Sequence, residues 1–136
     1  MSSPDLELNI DLALVVTPDL HIRVPVRFSY ACTDPYAVQL SFQVTPDHMV
    51  HWTFARELLD QGMRTVAGLG DVRITPIEQG GQYFSIELEP PDGYARLEGP
   101  VAPVEAWIAK THEAVPAVSE TVLLDIDRFL EEQSGR

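Results

Sequence analysis

Apolar and polar residues alternate along the first quarter of the chain. The even-numbered positions of residues 6–16 are apolar, whereas positions 7, 9 and 11 are polar. This period of two is typical of a strand with one buried face. The same even-numbered pattern returns at residues 20–30 after the turn residues 17–19, so the two segments predict a hairpin. Pro25 lacks an amide hydrogen, which predicts an edge position or a bulge for the second strand.

Later segments repeat the strand pattern. Strands are predicted at residues 36–44, 50–54, 71–77, 84–88 and 94–98, turns at 45–47, 80–81 and 90–93, and a loop at 67–70. The predicted order is four strands, a helix, three strands and two helices. Short connections imply antiparallel neighbours, so the predicted fold class is α+β, with a largely antiparallel sheet or sheets.

Three segments have the periodicity of helices. The mid-chain helix covers residues 54–61, with Gly62 as its predicted C′ residue. Pro100 opens a second helix that continues to about residue 113. A third, amphipathic helix is predicted at residues 125–133. The second helix carries one stripe for packing, formed by Val101, Val104, Trp107, Ile108 and Thr111.

The length and the termini predict a simple organisation. The 136 residues suit a single domain, residues 1–136, with frayed ends at 1–5 and 134–136. No apolar run approaches the ~20 residues of a membrane helix, and the N terminus lacks the features of a signal peptide. The single cysteine, Cys32, fits a reducing compartment. We therefore expect a cytoplasmic protein without direct membrane insertion.

Acidic residues outnumber basic ones. The chain has 21 Asp and Glu against nine Lys and Arg, a formal charge of −12, and Lys110 is its one lysine. Nucleic acids are bound largely by basic side chains that neutralise phosphates. The charge therefore argues against partners that are nucleic acids or anionic membranes.

The sequence has no pattern typical of a catalytic or metal site. His48 and His51 are three positions apart, which places their rings on opposite faces of a strand. Cys32 has no neighbouring histidine to activate it as a nucleophile. Gly68 and Gly70 lack the further glycine of a dinucleotide-binding loop. We therefore expect no enzyme activity, no cofactor and no metal site.

Aromatic residues offer stacking platforms for single-stranded nucleic acid. Such platforms usually lie in basic grooves, and this acidic chain has few basic residues to form one. Tyr36 and Trp52 occupy the apolar faces of their predicted strands. We therefore expect both side chains to pack in the core.

Three short motifs occur along the chain in a defined order. They are DPYAV at residues 34–38, FARELL at 54–59 and GDVR at 70–73, with Trp52 ahead of the second motif. In this order and spacing they resemble the SsgA-like proteins of actinomycetes. The resemblance covers roughly residues 12–132, and the motifs do not separate the paralogues of the family.

The resemblance implies an accessory protein of sporulation-specific cell division that is not an enzyme, with an SsgB-like role. Such a protein recruits or positions FtsZ at future septum sites, has FtsZ and other SsgA-family division proteins as partners, and is concentrated at the cell septum. The resemblance also implies a whirly-like fold and a homotrimer. The alternative function is a whirly-type module that binds single-stranded nucleic acid.

Arg56, Glu57 and Asp60 are the candidate partner-binding residues. They are polar positions of the predicted mid-chain helix, which Leu58 and Leu59 anchor. Arg56 and Asp60 are four residues apart, which predicts an exposed ion pair between them. The competing interpretation is that this helix only covers the sheet.

Overall fold

The computed structural model describes residues 5–77, 82–89 and 94–116. Its strands are β1 (Leu6–Thr17), β2 (Leu20–Tyr30), β3 (Ala37–Thr45), β4 (His48–Ala55), β5 (Ala67–Leu69), β6 (Val72–Ile77), β7 (Tyr83–Leu88) and β8 (Ala95–Pro100). Its helices are α1 (Arg56–Gly62) and α2 (Val101–Ala114). The predicted turns at 80–81 and 90–93 and the predicted helix at 125–133 lie outside the described residues.

The described strands form one antiparallel sheet in the order β4-β3-β2-β1-β8-β7-β6-β5. Each half of the sheet is a meander of four strands that are consecutive in the chain. The halves meet where β1 pairs with β8, at Ala13 opposite Glu98 and Leu14 opposite Leu97. The chain passes from the first half to the second through α1.

The sheet is curled. β4 and β5 lie at its opposite edges, yet α1 and residues 63–66 span the distance between them. In a flat sheet, seven strand spacings of ~4.8 Å would separate these edges by about 34 Å. A seven-residue helix and a short linker reach less than about 30 Å. The two edges therefore bend towards each other, and α1 packs on β4, β5 and β6.

The inner face of the sheet and the two helices enclose the apolar core. Phe28 of β2 is fully buried, and its ring centroid lies 5.9 Å from that of Trp107 in α2. Contacts of this kind between aromatic rings add to the gain from burial alone. The largest fully buried side chains are Tyr30, Phe28, Phe84, Leu12, Leu40, Leu59, Ile74, Ile86, Leu88, Leu97, Val38 and Val104.

The antiparallel α+β architecture and the first hairpin are confirmed. Leu12 lies opposite Val24 and Leu8 opposite Phe28, so the even-numbered residues of β1 and β2 share one face. α2 begins directly after Pro100, and every residue of its predicted stripe is buried. Alternation in strands and the 3.6-residue period in α2 therefore identified the faces that build the core.

Three local predictions are wrong. Residues 67–69 form β5 instead of a loop, and Gly70 makes the following turn with a φ of 63°. Gly62 is the last residue of α1 instead of its C′ residue. β2 lies inside the sheet instead of at an edge, and its pairing with β1 has no bulge at Pro25. Its ladder to β3 begins at Val26, directly after Pro25, so the proline interrupts no part of that ladder.

Tyr36 also departs from its prediction. Its relative exposure is 64%, whereas Trp52 is partly buried and packs against the core. Alternation assigned Tyr36 to the inner face, but β3 begins only at Ala37. Tyr36 therefore belongs to the turn before the strand and does not follow the pattern of the strand.

Candidate functional site

Two of the three motifs lie side by side. DPYAV leads into β3, and FARELL spans the junction between β4 and α1. Ala37 of the first motif pairs with Ala55 of the second across the β3–β4 ladder. The Arg56 amide donates a hydrogen bond to the Tyr36 carbonyl at 2.8 Å. The first motif therefore fixes the position at which α1 begins.

The third motif lies near the other end of α1. In GDVR, the Asp71 carbonyl accepts a hydrogen bond from the Glu89 amide at 2.9 Å, which ties the start of β6 to the end of β7. Gly62 of α1 lies against Ile74 of β6, so closely that a Cβ at Gly62 would overlap the Ile74 side chain. The three motifs therefore lie around the part of the sheet on which α1 packs, which we call the seat of α1.

Arg56 is buried, which corrects its predicted place on the outward face of α1. Its relative exposure is 5%. Nη1 donates to the Tyr30 hydroxyl at 3.1 Å, to the Thr111 carbonyl at 3.1 Å and to the Val115 carbonyl at 2.7 Å. The guanidinium carbon also lies 5.3 Å from the centroid of the Tyr30 ring, within cation–π range. Arg56 thus links β2, α1 and the C-terminal end of α2.

The surroundings of Arg56 explain how a buried cation is tolerated. The Thr111 and Val115 carbonyls lie at the C-terminal end of α2, where the helix dipole favours positive charge, and the Thr111 carbonyl accepts from Arg56 in addition to the Val115 amide. Among the described residues no carboxylate forms an ion pair with Arg56. The C-terminal end of α2 therefore stabilises the Arg56 charge, as an acidic side chain does in an ordinary ion pair.

Tyr30 completes this cluster in its neutral form. Its hydroxyl donates to the Pro35 carbonyl at 3.0 Å and accepts from Arg56. Burial raises the pKa of Tyr30 above its ordinary value, and the Arg56 charge offsets only part of the rise. The phenol therefore keeps the proton with which it holds Pro35 of the first motif.

The other two candidate partner-binding residues remain accessible to different degrees. Glu57 is exposed in the first turn of α1, and Asp60 is half-buried. The predicted pair between Arg56 and Asp60 is wrong, because Asp60 lies 3.5 Å from Arg64 and Arg56 points inward. Asp60 also lies 3.5 Å from Nε2 of His112 in α2, a distance that suits an ion pair when the histidine is protonated.

Exposed apolar residues flank α1. Tyr36 lies beside its N-terminal end, while Val66 and Leu69 follow its C-terminal end, and these three have relative exposures of 64%, 50% and 72%. With Glu57 they form a group that we call the α1 surface: Tyr36, Glu57, Val66 and Leu69. Tyrosine is enriched among the residues that contribute most to protein–protein contacts, so Tyr36 is the candidate anchor of this surface.

A second apolar area lies at the end of the β1–β2 hairpin. Val16, Leu20 and Ile22 have relative exposures of 50%, 50% and 47%. Ile22 lies opposite the partly buried Leu14 in the register of the hairpin. We call Leu14, Val16, Leu20 and Ile22 the hairpin tip. Their side chains continue the face that is buried further along both strands.

The described part of the chain holds no group of three or more candidate metal ligands. His51 instead shares a hydrogen bond of 2.8 Å between its Nδ1 and the Ser41 hydroxyl. Cys32 is exposed just after β2, and its amide donates to an Asp5 carboxylate oxygen at 2.6 Å. Desolvation and Asp5 raise the pKa of its thiol, which lowers its reactivity as a nucleophile.

Neither described helix is long and apolar enough to span a membrane. The longer of the two, α2, has 14 residues and carries Glu105, Lys110 and Glu113 among them. Its buried stripe faces the sheet, so its apolar side chains are already used in the core.

Comparison with known proteins agrees with this arrangement. Residues 24–120 match a protein family described as "Streptomyces sporulation and cell division protein, SsgA". The chain belongs to the SsgA family. The matched residues include all three motifs and both described helices, so the family match covers the whole seat of α1.

Relatives within the SsgA family extend the match over most of the chain. The sporulation-specific cell division protein SsgB of Frankia casuarinae is 39% identical over 120 residues, 88% of this chain and 84% of that protein. The protein of the same name from Streptomyces coelicolor is 38% identical over 122 residues, 89% of each chain. A solved SsgA-like sporulation-specific cell division protein from Thermobifida fusca superposes with a TM-score of 0.72 at 37% identity, covering 98% of this chain and 99% of that one.

Proposed function

We propose that this protein is a non-enzymatic accessory protein of sporulation-specific cell division that recruits or positions FtsZ at future septum sites through protein–protein contacts. The observation that carries the proposal is the similarity to SsgB proteins over nearly nine tenths of the chain. The proposed partners are FtsZ and other SsgA-family division proteins, and the proposed location is the cell septum.

The α1 surface is the proposed contact with FtsZ. It consists of exposed apolar side chains on either side of α1 and one exposed acidic residue, Glu57, on α1 itself. Arg56 holds this helix in place. Aromatic anchors surrounded by smaller contacts dominate the binding energy of many interfaces. The α1 surface has one charged residue, Glu57, beside three apolar ones, so charge contributes little to this contact. Short-range apolar contacts are therefore the expected source of affinity.

We expect Tyr36→Ala combined with Glu57→Lys to weaken the binding of FtsZ filaments about tenfold or more, since loss of one anchor residue commonly costs ~2 kcal/mol. Co-sedimentation of the purified protein with filaments of its cognate FtsZ measures the effect. Glu105→Lys, a charge reversal at an exposed position of α2, is the matched control and should bind like the unmodified chain.

Two results would contradict this proposal at different levels. If the unmodified protein neither co-sediments with FtsZ nor changes filament assembly, direct recruitment is wrong. If it binds, but the double variant binds equally well, the contact lies away from the α1 surface. Circular dichroism of each variant checks that a loss of binding is not a loss of fold.

We also propose that the protein assembles as a homotrimer in which the hairpin tip contacts a second copy. Three copies would carry three times −12 of formal charge, so apolar burial has to outweigh repulsion at the interface. The hairpin tip supplies uncovered apolar side chains that continue the core-facing side of the sheet.

Light scattering after size exclusion is expected to give about 45 kDa, three times the chain mass of 15.1 kDa. We expect Val16→Asp to shift the mass towards 15.1 kDa, because a carboxylate buried between copies would lack a partner. Val66→Asp is the matched control, since both valines have a relative exposure of 50%. A monomeric mass for the unmodified chain, or equal effects of both substitutions, would contradict the proposal.

The alternative function, a whirly-type module for single-stranded nucleic acid, stays a prediction, as does the whirly-like description of the fold. The charge of the chain argues against it, because binding of polyanions depends on clustered basic residues. Fluorescence anisotropy with a labelled oligonucleotide separates the two functions. A salt-sensitive micromolar signal would favour nucleic acid over FtsZ as the partner.

A further inference from the structure

The outer face of the first four strands, opposite the core, carries a groove that we call the polar groove, after the row of polar side chains that crosses it. Its volume is about 680 Å³, within the range of binding sites for small ligands and short segments. Strand pairing arranges the side chains of its wall in rows that cross β1, β2, β3 and β4. The polar groove shares no residue with the α1 surface, although Asp34 and Ala37 at its end adjoin Tyr36 in the chain. The inference drawn from it does not depend on the proposed function.

The central row of the polar groove consists of Asn9, Arg27, Ser41 and His51, one residue from each strand. Arg27 Nε donates to Asn9 Oδ1 at 3.4 Å, and Ser41 Oγ lies 2.8 Å from His51 Nδ1. Ser41 has a relative exposure of 8%, so its hydroxyl lies at the floor, while Arg27 and His51 are exposed on either side of it.

Hydrogen-bond donors of the central row remain available. Among the described residues, the Nη atoms of Arg27 have no acidic partner and His51 Nε2 has no hydrogen-bond partner. When the Ser41 hydroxyl donates to Nδ1, His51 carries its hydrogen on Nε2 and becomes a donor as well. Arg27 and His51 thus present donors from both sides of β3, an arrangement suited to a carboxylate.

The charges around the row limit what the polar groove can accept. Glu7 and Asp11 lie on β1, and Asp34 also lines the groove, against the single cation Arg27. With three carboxylates and one guanidinium along its length, the groove disfavours a dianion such as phosphate and a polyanion such as nucleic acid. These charges favour a ligand that has one negative group over β3 and a positive group near β1.

We propose that the polar groove binds an extended segment of a partner protein that carries an acidic residue and, two positions away, a basic residue. The acidic side chain lies over Ser41 between Arg27 and His51, and the basic side chain reaches Glu7 and Asp11. β3 and β1 are two strand spacings apart, about 10 Å. Alternate residues of an extended chain lie ~7 Å apart on one side, and the length of a lysine side chain covers the rest.

The probe is the acetylated and amidated pentapeptide Gly-Glu-Gly-Lys-Gly, titrated into the ¹⁵N-labelled full chain. We expect saturable shifts of backbone amides in β1–β4, with a Kd of about 1 mM, since the contact rests on a few exposed polar groups. The same peptide with glutamine in place of glutamate and lysine should bind at least about tenfold more weakly, because it lacks both charges.

Variants of two arginines on one strand locate the site. Arg27→Gln is expected to weaken binding at least about fivefold, since it removes the charged donor. Arg23→Gln is the matched control, because Arg23 lies on the same strand and face but outside the polar groove, and it should leave the Kd unchanged. Asp11→Asn is expected to weaken binding of the peptide that carries lysine and to leave unchanged the binding of Gly-Glu-Gly-Gln-Gly, in which glutamine replaces only the lysine.

Several results would overturn the proposal. They are the absence of saturable shifts up to about 20 mM peptide, equal binding of the glutamine peptide, or equal losses from the two arginine variants. Displacement of the peptide by inorganic phosphate or by an oligonucleotide at lower concentration would also overturn it, since it would identify a phosphate site. The amide spectra of the variants report their fold in the same experiment.

Discussion

Replacing Arg56 with methionine is expected to lower the free energy of unfolding by about 3 kcal/mol, because one substitution removes three hydrogen bonds from a buried cation. The Val115 carbonyl and the Tyr30 hydroxyl would then lose their donor, and the Thr111 carbonyl would keep only the Val115 amide. For a chain of this length the midpoint of thermal unfolding should fall by about 10 °C. Circular dichroism during heating and urea titration measures both quantities.

A matched substitution shows whether burial is the cause. Arg64 follows α1, its side chain is 66% exposed and it lies 3.5 Å from Asp60. Arg64→Met should change stability by less than about 0.5 kcal/mol, because exposed ion pairs contribute little. Arg56→Lys should fall between the two, since one ammonium group cannot reproduce the geometry of the guanidinium. Equal effects at positions 56 and 64 would show that Arg56 is not the link between α1 and α2.

The burial of Arg56 also changes how the FARELL motif is understood. A charge reversal at this position would test folding before it tested any partner, because the side chain contacts β2 and α2 and is not exposed. Glu57, the neighbouring residue, is exposed and is the informative position for partner binding. Variants at the two positions therefore separate loss of the fold from loss of a contact.

The sequence contains a signal for this burial. Val50, Trp52 and Phe54 are the inward positions of β4, and the period of two continues to residue 56. Residue 56 is the first residue after β4, and its side chain keeps the inward orientation of the strand instead of lying on the outer surface of the helix. What the sequence cannot show is the partner of the buried charge, because the end of α2 lies 55 and 59 residues further along the chain.

The parts of the fold predicted from sequence are those in which one face of an element is buried over several periods. β1, β2 and α2 are long enough for their patterns to stand out. β5 has three residues, too few for any period, so residues 67–69 resembled a loop. Pro25 predicted an edge strand, but a proline excludes an inner position only where its missing amide hydrogen would be needed for a ladder. The ladder between β2 and β3 begins at Val26, and this register cannot be read from the sequence of β2 alone.

The candidate surfaces depend on contacts between distant segments. Tyr36 and Val66 flank the same helix only because α1 crosses between the two edges of the sheet. The central row of the polar groove brings together residues from four strands through the register of three ladders. A single sequence gives the residue types on each strand but not these registers, so neither surface could be located before the fold was known.

Gly62→Ala is expected to lower the free energy of unfolding by about 2 kcal/mol, although alanine is the better helix former. The gain in helix propensity is at most ~1 kcal/mol. Against it stands the overlap of the new Cβ with the side chain of Ile74, which is fully buried. Overpacking of this kind costs ~1–3 kcal/mol, or more when the backbone has to shift. Denaturant unfolding of the purified variant measures the net result.

Gly68→Ala is the matched control for this substitution. The nearest atoms to a Cβ at Gly68 are Cγ of Arg73 and the Val72 carbonyl oxygen, both at 3.7 Å, which is an ordinary contact distance. Its effect should therefore stay within about 0.5 kcal/mol, because only the entropy of the unfolded chain changes. If Gly62→Ala is equally mild, α1 does not rest on β6 as closely as the structure shows.

Combining Gly62→Ala with Ile74→Ala tests the contact itself. Ile74→Ala alone is expected to cost ~2–5 kcal/mol through the cavity that it leaves. If the two positions touch, the new methyl group fills part of that cavity, and the double variant should be more stable than the sum of the single effects by about 1 kcal/mol or more. Additive effects would mean that Gly62 is required for another reason. A positive coupling would instead show that close packing against β6 fixes the position of α1, and with it the α1 surface proposed to contact FtsZ.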